Sequence, residues 1–234
     1  MSHFEFVFAP LPRVAVEICD SDKLFPVHRI FCVGRNYSDH VREMGFDPAR
    51  EDPFYFTKSP SAFTPSGSEI PYPTGTSNYH HEMELVVAIG KCGRDISEGS
   101  ALEHVYGFAC GLDMTRRDLQ LAARDKGRPW DLGKDIENGA VISALRPISD
   151  ASDIANWELK LTVNGELRQS TTLQHMIWSV PEIISHLSRF YTLVPGDLIM
   201  TGTPAGVGPV VPGDALVGEI TGLSDVTAQI VDSV

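Results

Sequence analysis

The sequence predicts an α+β fold that is predominantly β, with mostly antiparallel sheets and a few helices. Short apolar runs recur along the chain, and in the C-terminal third they are separated by Pro-Gly or Gly turns at 195–197, 212–214 and 221–222. The dipeptide Asn164–Gly165 between two such runs is a strong hairpin signal. Strands and helices do not alternate regularly, which argues against a parallel α/β architecture.

The first 28 residues predict a small N-terminal cap. Their apolar runs are short and are interrupted by three prolines, at Pro10, Pro12 and Pro26. We therefore expect a cap segment over residues 1–28, joined to a main domain over residues 29–234.

The segment after the cap predicts a strand, a helix and a long loop. Arg29–Gly34 is a short apolar strand that ends at glycine, and helical character follows over Tyr37–Met44 until Gly45. The stretch Asp47–Tyr79 is rich in Pro, Ser, Gly and Thr. It predicts an irregular loop, and long loops of this kind are often functional.

The rest of the chain supplies most of the predicted sheet. Branched and other apolar residues predict strands, and apolar periodicity predicts helices. The predicted strands are Met83–Ile89, Val105–Asp113, Val141–Ala144, Glu158–Val163 and Leu198–Thr201. The predicted helices are Thr115–Lys126 and Pro181–Phe190, the latter with proline in its first turn.

Composition excludes several classes of protein. The chain has 234 residues, 42% of them hydrophobic, and a net charge of -12, which argues against binding to nucleic acid or an anionic membrane surface. Four cysteines without paired spacing predict free thiols in a reducing compartment. No apolar stretch approaches ~18 residues, and the N-terminus lacks the pattern of a signal peptide. We expect a cytoplasmic protein.

Two glutamates at the start of a strand predict a cation site. On a strand, Glu82 and Glu84 point to the same face, ~7 Å apart. Their mutual repulsion and loss of water favour a divalent cation, and oxygen ligands suit Mg²⁺, Mn²⁺ or Ca²⁺. Asp113 ends another apolar strand and fits a third ligand. On spacing alone, exposed glutamates on an edge strand and a helix-capping aspartate remain an alternative. Zinc held by His80 and His81 is weakly supported, since no third nitrogen or sulfur ligand is suitably spaced.

A histidine–glutamate pair lies near the N-terminus. His40 and Glu43 are three residues apart in a predicted helix and so share a face. A carboxylate beside an imidazole raises the pKa of the imidazole and fixes its tautomer, which makes a competent general base. Most such pairs on surface helices are solvated ion pairs. The position between a glycine-ended strand and a long loop favours a mobile lid.

The ordered set of motifs from about Arg29 to the C-terminus resembles the fumarylacetoacetate hydrolase family. The likeness to the members that hydrolyse fumarylpyruvate in gentisate degradation is carried by Arg42–Pro48 and Met114–Gln120. The motifs of the whole family are Gly34–Tyr37 with His40 and Glu43, His81–Glu84, Leu112–Thr115, Arg117, Asp118, Gln120, Gly127–Trp130, Lys134, Val163–Glu166 and Gly202–Gly208.

The resemblance implies a fold, an activity and roles for individual residues. The family fold is a mixed, largely β roll with a few peripheral helices, usually in a homodimer. It implies that Glu82, Glu84 and Asp113 bind Mg²⁺ or Mn²⁺, that His40 and Glu43 activate water, and that Lys134 stabilises developing negative charge. It places Arg117, Gln120 and Thr203 along the substrate pocket, and we expect Arg35 and Tyr37 there too. Many relatives have Ser-Phe-Asp after the lysine, where this chain has 135–138 Asp-Ile-Glu-Asn.

The implied reaction is hydrolysis of the C–C bond of a small-molecule β-diketo acid, an acylpyruvate, with 3-fumarylpyruvate giving fumarate and pyruvate. Arg35, Arg42 and Arg116 are candidates for the distal carboxylate, since arginine suits bidentate binding. Surface salt bridges explain each of them equally well. Related reactions on the same scaffold remain open, namely oxaloacetate decarboxylation and diene-dioate isomerase or hydratase chemistry. A non-enzymatic binding protein is the second alternative, and the complete set of metal, base and lysine residues argues against it.

Overall fold

The computed structural model describes residues 6–43, 51–147 and 153–233. Within these ranges the chain forms eighteen strands and four α-helices. The strands are β1 Ala15–Glu17, β2 Leu24–Pro26, β3 Arg29–Gly34, β4 Phe54–Lys58, β5 Phe63–Pro65, β6 Ser68–Pro71, β7 Tyr79–His81, β8 Met83–Ile89, β9 Val105–Asp113, β10 Thr115–Arg116, β11 Ala140–Ile142, β12 Arg146–Pro147, β13 Glu158–Val163, β14 Glu166–Thr172, β15 Asp197–Met200, β16 Gly208–Pro209, β17 Ala215–Ile220 and β18 Val226–Val231. The helices are α1 Ser38–Glu43, α2 Arg117–Asp125, α3 Asp131–Lys134 and α4 Val180–Phe190.

The larger sheet is mixed and has eight strands. Its order is β4-β3-β15-β8-β9-β11-β5, and β12 also pairs with β9. The β3–β15 and β11–β5 pairs are parallel, whereas the other pairs are antiparallel. The central antiparallel pair β8–β9 carries the residues of greatest interest at one end.

A second sheet of five strands has the order β14-β13-β17-β18-β6. Its first two strands form the predicted hairpin, in which Asn164 and Gly165 have φ values of 53° and 78°. Both central residues with positive φ are the mark of a type I′ turn, whose twist matches that of the strands. Two small sheets, β1-β2 and β10-β7-β16, complete the fold.

Strand β8 is buried on both faces, and its alternation fixes where the carboxylates point. Leu85 and Val87 belong to a large core cluster shared with the five-stranded sheet. Val86 and Ala88 point to the opposite face, into a second cluster. Because side chains alternate along a strand, Glu84 shares the face of Val86. The acidic residues therefore lie on the face of the larger sheet that does not pack on the smaller one.

The N-terminal strands β1 and β2 contribute to the second cluster. Val16 and Phe25 are buried there together with Ile30 of β3. The boundary of a cap segment at residue 28 stays a prediction. The longest helix among the described residues has 11 residues, and none of these helices has the length and hydropathy needed to span a membrane.

The structure confirms most predicted elements and corrects one. Strands β3, β8, β9 and β13 have the predicted bounds. The other two predicted strands correspond to β11 and β15, whose ends differ by one or two residues from the prediction. The helix predicted from Thr115 begins at Arg117, because Thr115 and Arg116 pair with β7. The prediction of an irregular loop over Asp47–Tyr79 is wrong for the described part, which contains β4, β5, β6 and the start of β7. The predicted helix end at Met44–Gly45 and the start of that loop lie outside the described residues.

Candidate metal centre and active site

Three carboxylates converge where β8 and β9 meet. Asp113 is aligned with Glu82, since its backbone N–H donates to Glu82 O over 2.8 Å. Glu84 is aligned with Gly111, two residues along on each strand. One oxygen from each of Glu82, Glu84 and Asp113 lies within 4.8 Å of the others, and the residues are only 5%, 2% and 0% exposed. The alternative of exposed glutamates on an edge strand is therefore wrong.

The electrostatics of this cluster disfavour ionisation of Glu84. Burial, followed by repulsion from Asp113 and Glu82, holds the pKa of Glu84 well above its ordinary value. Burial opposes ionisation of Glu82 as well, but Lys134 and Arg117 outweigh it and lower its pKa. The two buried glutamates therefore differ, because the cationic side chains next to Glu82 outweigh its burial.

A divalent cation fits this donor set. All three side chains offer oxygen, which hard cations prefer. Asp113 Oδ1 is fully buried and forms an ion pair with Lys58 Nζ at 2.8 Å, without a hydrogen bond from any described residue. A divalent cation would add positive charge at the triad and relieve the repulsion that raises the pKa of Glu84. The residues present therefore fit a divalent metal site.

Two buried lysines surround the triad. Lys134 of α3 donates to Glu82 Oε2 at 2.9 Å, Asp113 Oδ2 at 2.6 Å and Thr115 Oγ1 at 2.8 Å. Burial would lower the pKa of Lys134, but the charges of Asp113 and Glu82 raise it overall. Lys58 of β4 donates to the carbonyl oxygens of Met114, at 3.1 Å, and of Lys134. Lys58 therefore fixes the backbone that carries Lys134.

Helix α2 supplies a polar wall next to the triad. Arg117 is 4% exposed and donates to Glu82 Oε1 and to Gln120 Oε1. Its Nε also donates to His80 Nδ1 at 3.4 Å. Burial and the charge of Arg117 lower the pKa of His80 to about 4. His80 is thus neutral near pH 7 and acts as an acceptor, which agrees with an orienting rather than a ligating role.

The predicted lid helix covers the same pocket. His40 is 7% exposed, and its Nδ1 lies 3.2 Å from Glu43 Oε2. The Gly206 N–H donates to both carboxylate oxygens of Glu43, each at 3.2 Å. These contacts, first the one to His40, lower the pKa of Glu43. Gly206 has φ +94°, and a Cβ there would lie 2.0 Å from Arg168 O, so only glycine fits this position.

A buried glutamine of β14 connects the start of β8 with the glycine-rich loop at residues 202–208. Gln169 of β14 is 0% exposed and donates to Thr203 Oγ1 at 2.8 Å and Pro204 O at 2.9 Å. Its Oε1 accepts the Met83 N–H at 3.0 Å and lies 3.3 Å from His81 Nδ1. Gln169 thus fixes Thr203 relative to the start of β8.

One pocket brings most of the predicted site residues together. Glu43 and Tyr37 are the exceptions. Glu43 contacts His40 of the lining but is not itself part of it. Tyr37 is 2% exposed and borders a second cavity together with Asp39, Arg42 and Pro204. The hydroxyl of Tyr37 has no hydrogen-bond partner in the described part of the chain, and burial followed by the charge of Glu84 raises its pKa. The residues that line the main pocket are Val33, Gly34, Arg35, His40, Phe56, Glu82, Glu84, Asp113, Arg117, Gln120, Leu121, Arg124, Trp130, Lys134 and Thr203.

Sequence reasoning missed four residues at this site. Lys58 and Gln169 lie in strands β4 and β14, where no neighbouring residue belongs to a motif that indicates a functional site. Arg124 has the i+7 spacing from Arg117 that places both on one helix face, and that spacing could have identified it. Gly206 lies in a recognised motif, but its contact with Glu43 crosses 163 residues of sequence.

The fumarylacetoacetate (FAA) hydrolase C-terminal family model matches residues 29–231. The chain belongs to the fumarylacetoacetate hydrolase family. This confirms the resemblance recognised from the motifs. The mixed, mostly β fold is confirmed by the solved structures of the family.

Relatives with a named activity include fumarylpyruvate hydrolases and oxaloacetate tautomerases. A crystal structure of fumarylpyruvate hydrolase from Pseudomonas aeruginosa, in complex with Mn²⁺ and pyruvate, matches with a TM-score of 0.95 at 49% identity and covers 98% of this chain and 100% of that one. Fumarylpyruvate hydrolase from a Ralstonia species is 53% identical over 184 residues, 79% of this chain and 95% of that protein. The human mitochondrial oxaloacetate tautomerase FAHD1 is 45% identical over 201 residues, 86% of this chain and 90% of that protein.

Proposed function

We propose that this chain is a divalent-metal-dependent hydrolase that splits 3-fumarylpyruvate into fumarate and pyruvate. One observation carries the proposal: His40, which contacts Glu43, borders the same pocket as the carboxylates Glu82, Glu84 and Asp113. A general base beside a cation site is what hydrolysis of a β-diketo acid requires. The identity to the two fumarylpyruvate hydrolases supports this choice of acyl group.

Glu82, Glu84 and Asp113 would hold Mg²⁺ or Mn²⁺. The bound cation supplies Lewis-acid stabilisation of the negative charge that develops on the pyruvate part as the C–C bond breaks.

His40 is the proposed general base. Because Nδ1 faces Glu43, Nε2 is the ring nitrogen that takes a proton from water. The lowered pKa of Glu43 keeps its carboxylate ionised, so the imidazolium that forms is stabilised by an adjacent negative charge. A positioned general base contributes roughly 10²–10⁴-fold to a rate. Water then attacks the distal carbonyl carbon of the substrate. The bond between that carbon and the pyruvate methylene breaks to give fumaric acid and the enolate of pyruvate. The proton held by His40 passes to the enolate carbon, which gives pyruvate.

Lys134 is the proposed donor to the oxyanion that this attack generates. Its three N–H groups point at Glu82, Asp113 and Thr115, so the substrate must replace one of these acceptors. Lys134 enters that role as a cation, because its pKa is raised. Arg117, Gln120 and Thr203 line the walls and would orient the bound molecule.

Oxaloacetate tautomerisation is the second candidate function. It is favoured by the 45% identity to human FAHD1 over 86% of this chain. Keto–enol exchange needs a proton donor and acceptor but no attacking water. Of the two candidate reactions, hydrolysis and tautomerisation, only hydrolysis requires an activated water. The metal ligands serve both. Decarboxylation and diene-dioate isomerisation or hydration are further reactions that the same ligands would serve.

Product analysis separates the two candidates. Fumarylpyruvate is mixed with enzyme and Mn²⁺, its absorbance is followed, and pyruvate is quantified. We expect one pyruvate for each fumarylpyruvate lost, and a large drop in rate for His40→Ala. In a parallel assay, oxaloacetate tautomerisation consumes the enol without releasing pyruvate. No loss of fumarylpyruvate together with rapid enol loss would replace the hydrolase by the tautomerase.

The proposal also covers the setting of the reaction. It places the enzyme in aromatic-compound degradation, in the cytoplasm, as a homodimer. Sedimentation equilibrium tests the dimer, and a series of divalent metals at equal free concentration tests the preference between Mg²⁺ and Mn²⁺.

A further inference from the structure

Two arginines besides Arg117 line the active-site pocket, Arg35 and Arg124. Four residues of α2 line the pocket at successive turns of one face: Arg117, Gln120, Leu121 and Arg124. Arg117 contacts Glu82, whereas Arg124 lies seven residues further, ~10 Å along the helix axis. Helix α2 therefore lines the pocket over ~10 Å, starting from the residue that contacts a metal ligand.

Arg35, which follows β3, lines the same pocket. It lies in the left-handed region with φ +57°, which few residues other than glycine adopt. Its neighbours fix it there: a Cβ on Gly34 would lie 2.0 Å from the Phe54 ring, and Asn36 donates to Trp178 O at 2.9 Å and Thr201 O at 2.8 Å. Such a backbone conformation persists where surrounding structure imposes it, often at ligand sites.

The two guanidinium groups affect each other. Burial and then the charge of Arg124 lower the pKa of Arg35, and Glu51 partly opposes this. Arg124 donates from Nε and Nη2 to Asp125 Oδ1, at 2.9 and 2.8 Å. A guanidinium has five donors in a planar fork, so an ion pair with Asp125 is compatible with binding an anion in the pocket.

The spacing along α2 is comparable with the length of a diacid. Six C–C bonds of ~1.5 Å place the two carboxyl carbons of an extended seven-carbon diacid roughly 7–8 Å apart. Arg117, which contacts Glu82, and Arg124 are ~10 Å apart along the helix axis. Phe56 and Trp130 line the pocket as well. Their flat rings suit a planar conjugated chain.

We propose that Arg35 and Arg124 bind the distal carboxylate of the substrate, so that the enzyme selects acylpyruvates whose acyl end carries a negative charge. The inference rests on the proposed hydrolysis of fumarylpyruvate. Of the three arginines that the sequence suggested for this carboxylate, the proposal keeps Arg35. Arg42 pairs with Asp39 Oδ1 at 2.7 Å and borders the second cavity, and Arg116 donates to Leu132 O at 3.3 Å.

The test compares two substrates and matched variants. Arg124→Gln and Arg35→Gln each remove one charge at similar size, and Lys126→Gln removes an exposed charge two residues from Arg124. For fumarylpyruvate we expect kcat/KM to fall about 10–100-fold in the arginine variants, mainly through KM, since a bond to a charged group is lost. For acetylpyruvate, which has a methyl group at that end, kcat/KM stays within about twofold, and Lys126→Gln behaves as wild type. Equal losses on both substrates, or no loss on either, would overturn the assignment.

A binding measurement separates this inference from the reaction. Fumarate and crotonate differ by one carboxylate, and their affinities for the Mn²⁺-loaded enzyme are measured by calorimetry. We expect wild type to prefer fumarate and Arg124→Gln to lose that preference. If wild type hydrolyses no acylpyruvate yet shows this pattern, the proposed reaction fails and the anion site stands. If wild type hydrolyses fumarylpyruvate but binds both acids equally, the anion site fails alone.

Discussion

Replacing Gln169 by leucine tests whether this buried amide fixes the glycine-rich loop. Leucine has a similar volume, so the change removes four hydrogen-bonding contacts and leaves little cavity. The amide bonds to Met83 N, Thr203 Oγ1 and Pro204 O and lies 3.3 Å from His81 Nδ1. All of these partners are in the buried part of the site.

The expected cost follows from the number of partners left unsatisfied. A buried polar group without a partner costs about 1–3 kcal/mol. The Thr203 hydroxyl can rotate towards another acceptor, but the Met83 N–H and the Pro204 carbonyl cannot. We therefore expect Gln169→Leu to lower the free energy of unfolding by about 3–5 kcal/mol, which is large for a single substitution. Activity should fall as well, because Thr203 borders the pocket.

Urea denaturation followed by circular dichroism measures this difference, with the slope of the transition compared between proteins. Gln229→Leu is the matched control, since Gln229 is half-buried and donates one hydrogen bond to Gly213 O at 2.9 Å. We expect the control to lose no more than about 1 kcal/mol. If Gln169→Leu lies within about 1 kcal/mol of wild type, the four contacts do not stabilise the loop as argued.

Three further changes test other parts of the site. His40→Ala should lower kcat for fumarylpyruvate about 10²–10⁴-fold while Mn²⁺ affinity, measured by calorimetry, stays unchanged, and a loss of metal affinity instead would contradict a role as base. Gly206→Ala should lower kcat/KM about tenfold or more, because the added Cβ displaces the loop from Arg168 O and weakens the hydrogen bonds from the residue 206 N–H to Glu43. Steady-state kinetics measure this change, and unaltered kinetics would show that these hydrogen bonds do not contribute to activity. His80 has a pKa of about 4 in the folded chain against 6.5 unfolded, so the unfolded state binds more protons between those values and stability falls as pH drops from about 6.5 to 4. Urea titrations across that range should show a shallower fall for His80→Asn, and an equal fall would assign the effect to other groups.

The elements that carry the metal ligands were predictable from local pattern. The bounds of β8 and β9 follow from continuous apolar runs, and the alternation of side chains places Glu82 and Glu84 on one face. That face becomes an enclosed site only because β9 pairs with β8 so that Asp113 is aligned with Glu82. The pairing between the two strands cannot be inferred from either segment alone. The position of Asp113 at a strand end made it a candidate third ligand, and the family resemblance assigned it that role.

The sequence predictions that failed concern segments and residues whose contacts are distant in sequence. The described part of Asp47–Tyr79 suggested a loop because its strands are short, and β5 and β6 are held by parallel pairing with β11 and β18. Lys58 donates to the carbonyl of a residue 76 positions away. A lone polar residue in a short strand gives no local sign of such a partner. Arg124 was the exception, since its helical spacing from Arg117 was visible.

Pyruvate release from fumarylpyruvate under metal control tests the central claim most directly. Wild type is stripped with a chelator, assayed, and assayed again with excess Mn²⁺, next to Asp113→Asn treated in the same way. We predict background rates after chelation, recovery of wild type on adding Mn²⁺, and no recovery of Asp113→Asn. Hydrolysis that continues near its original rate in the chelator, or an Asp113→Asn variant that equals wild type, would contradict a reaction that depends on a metal held by the triad.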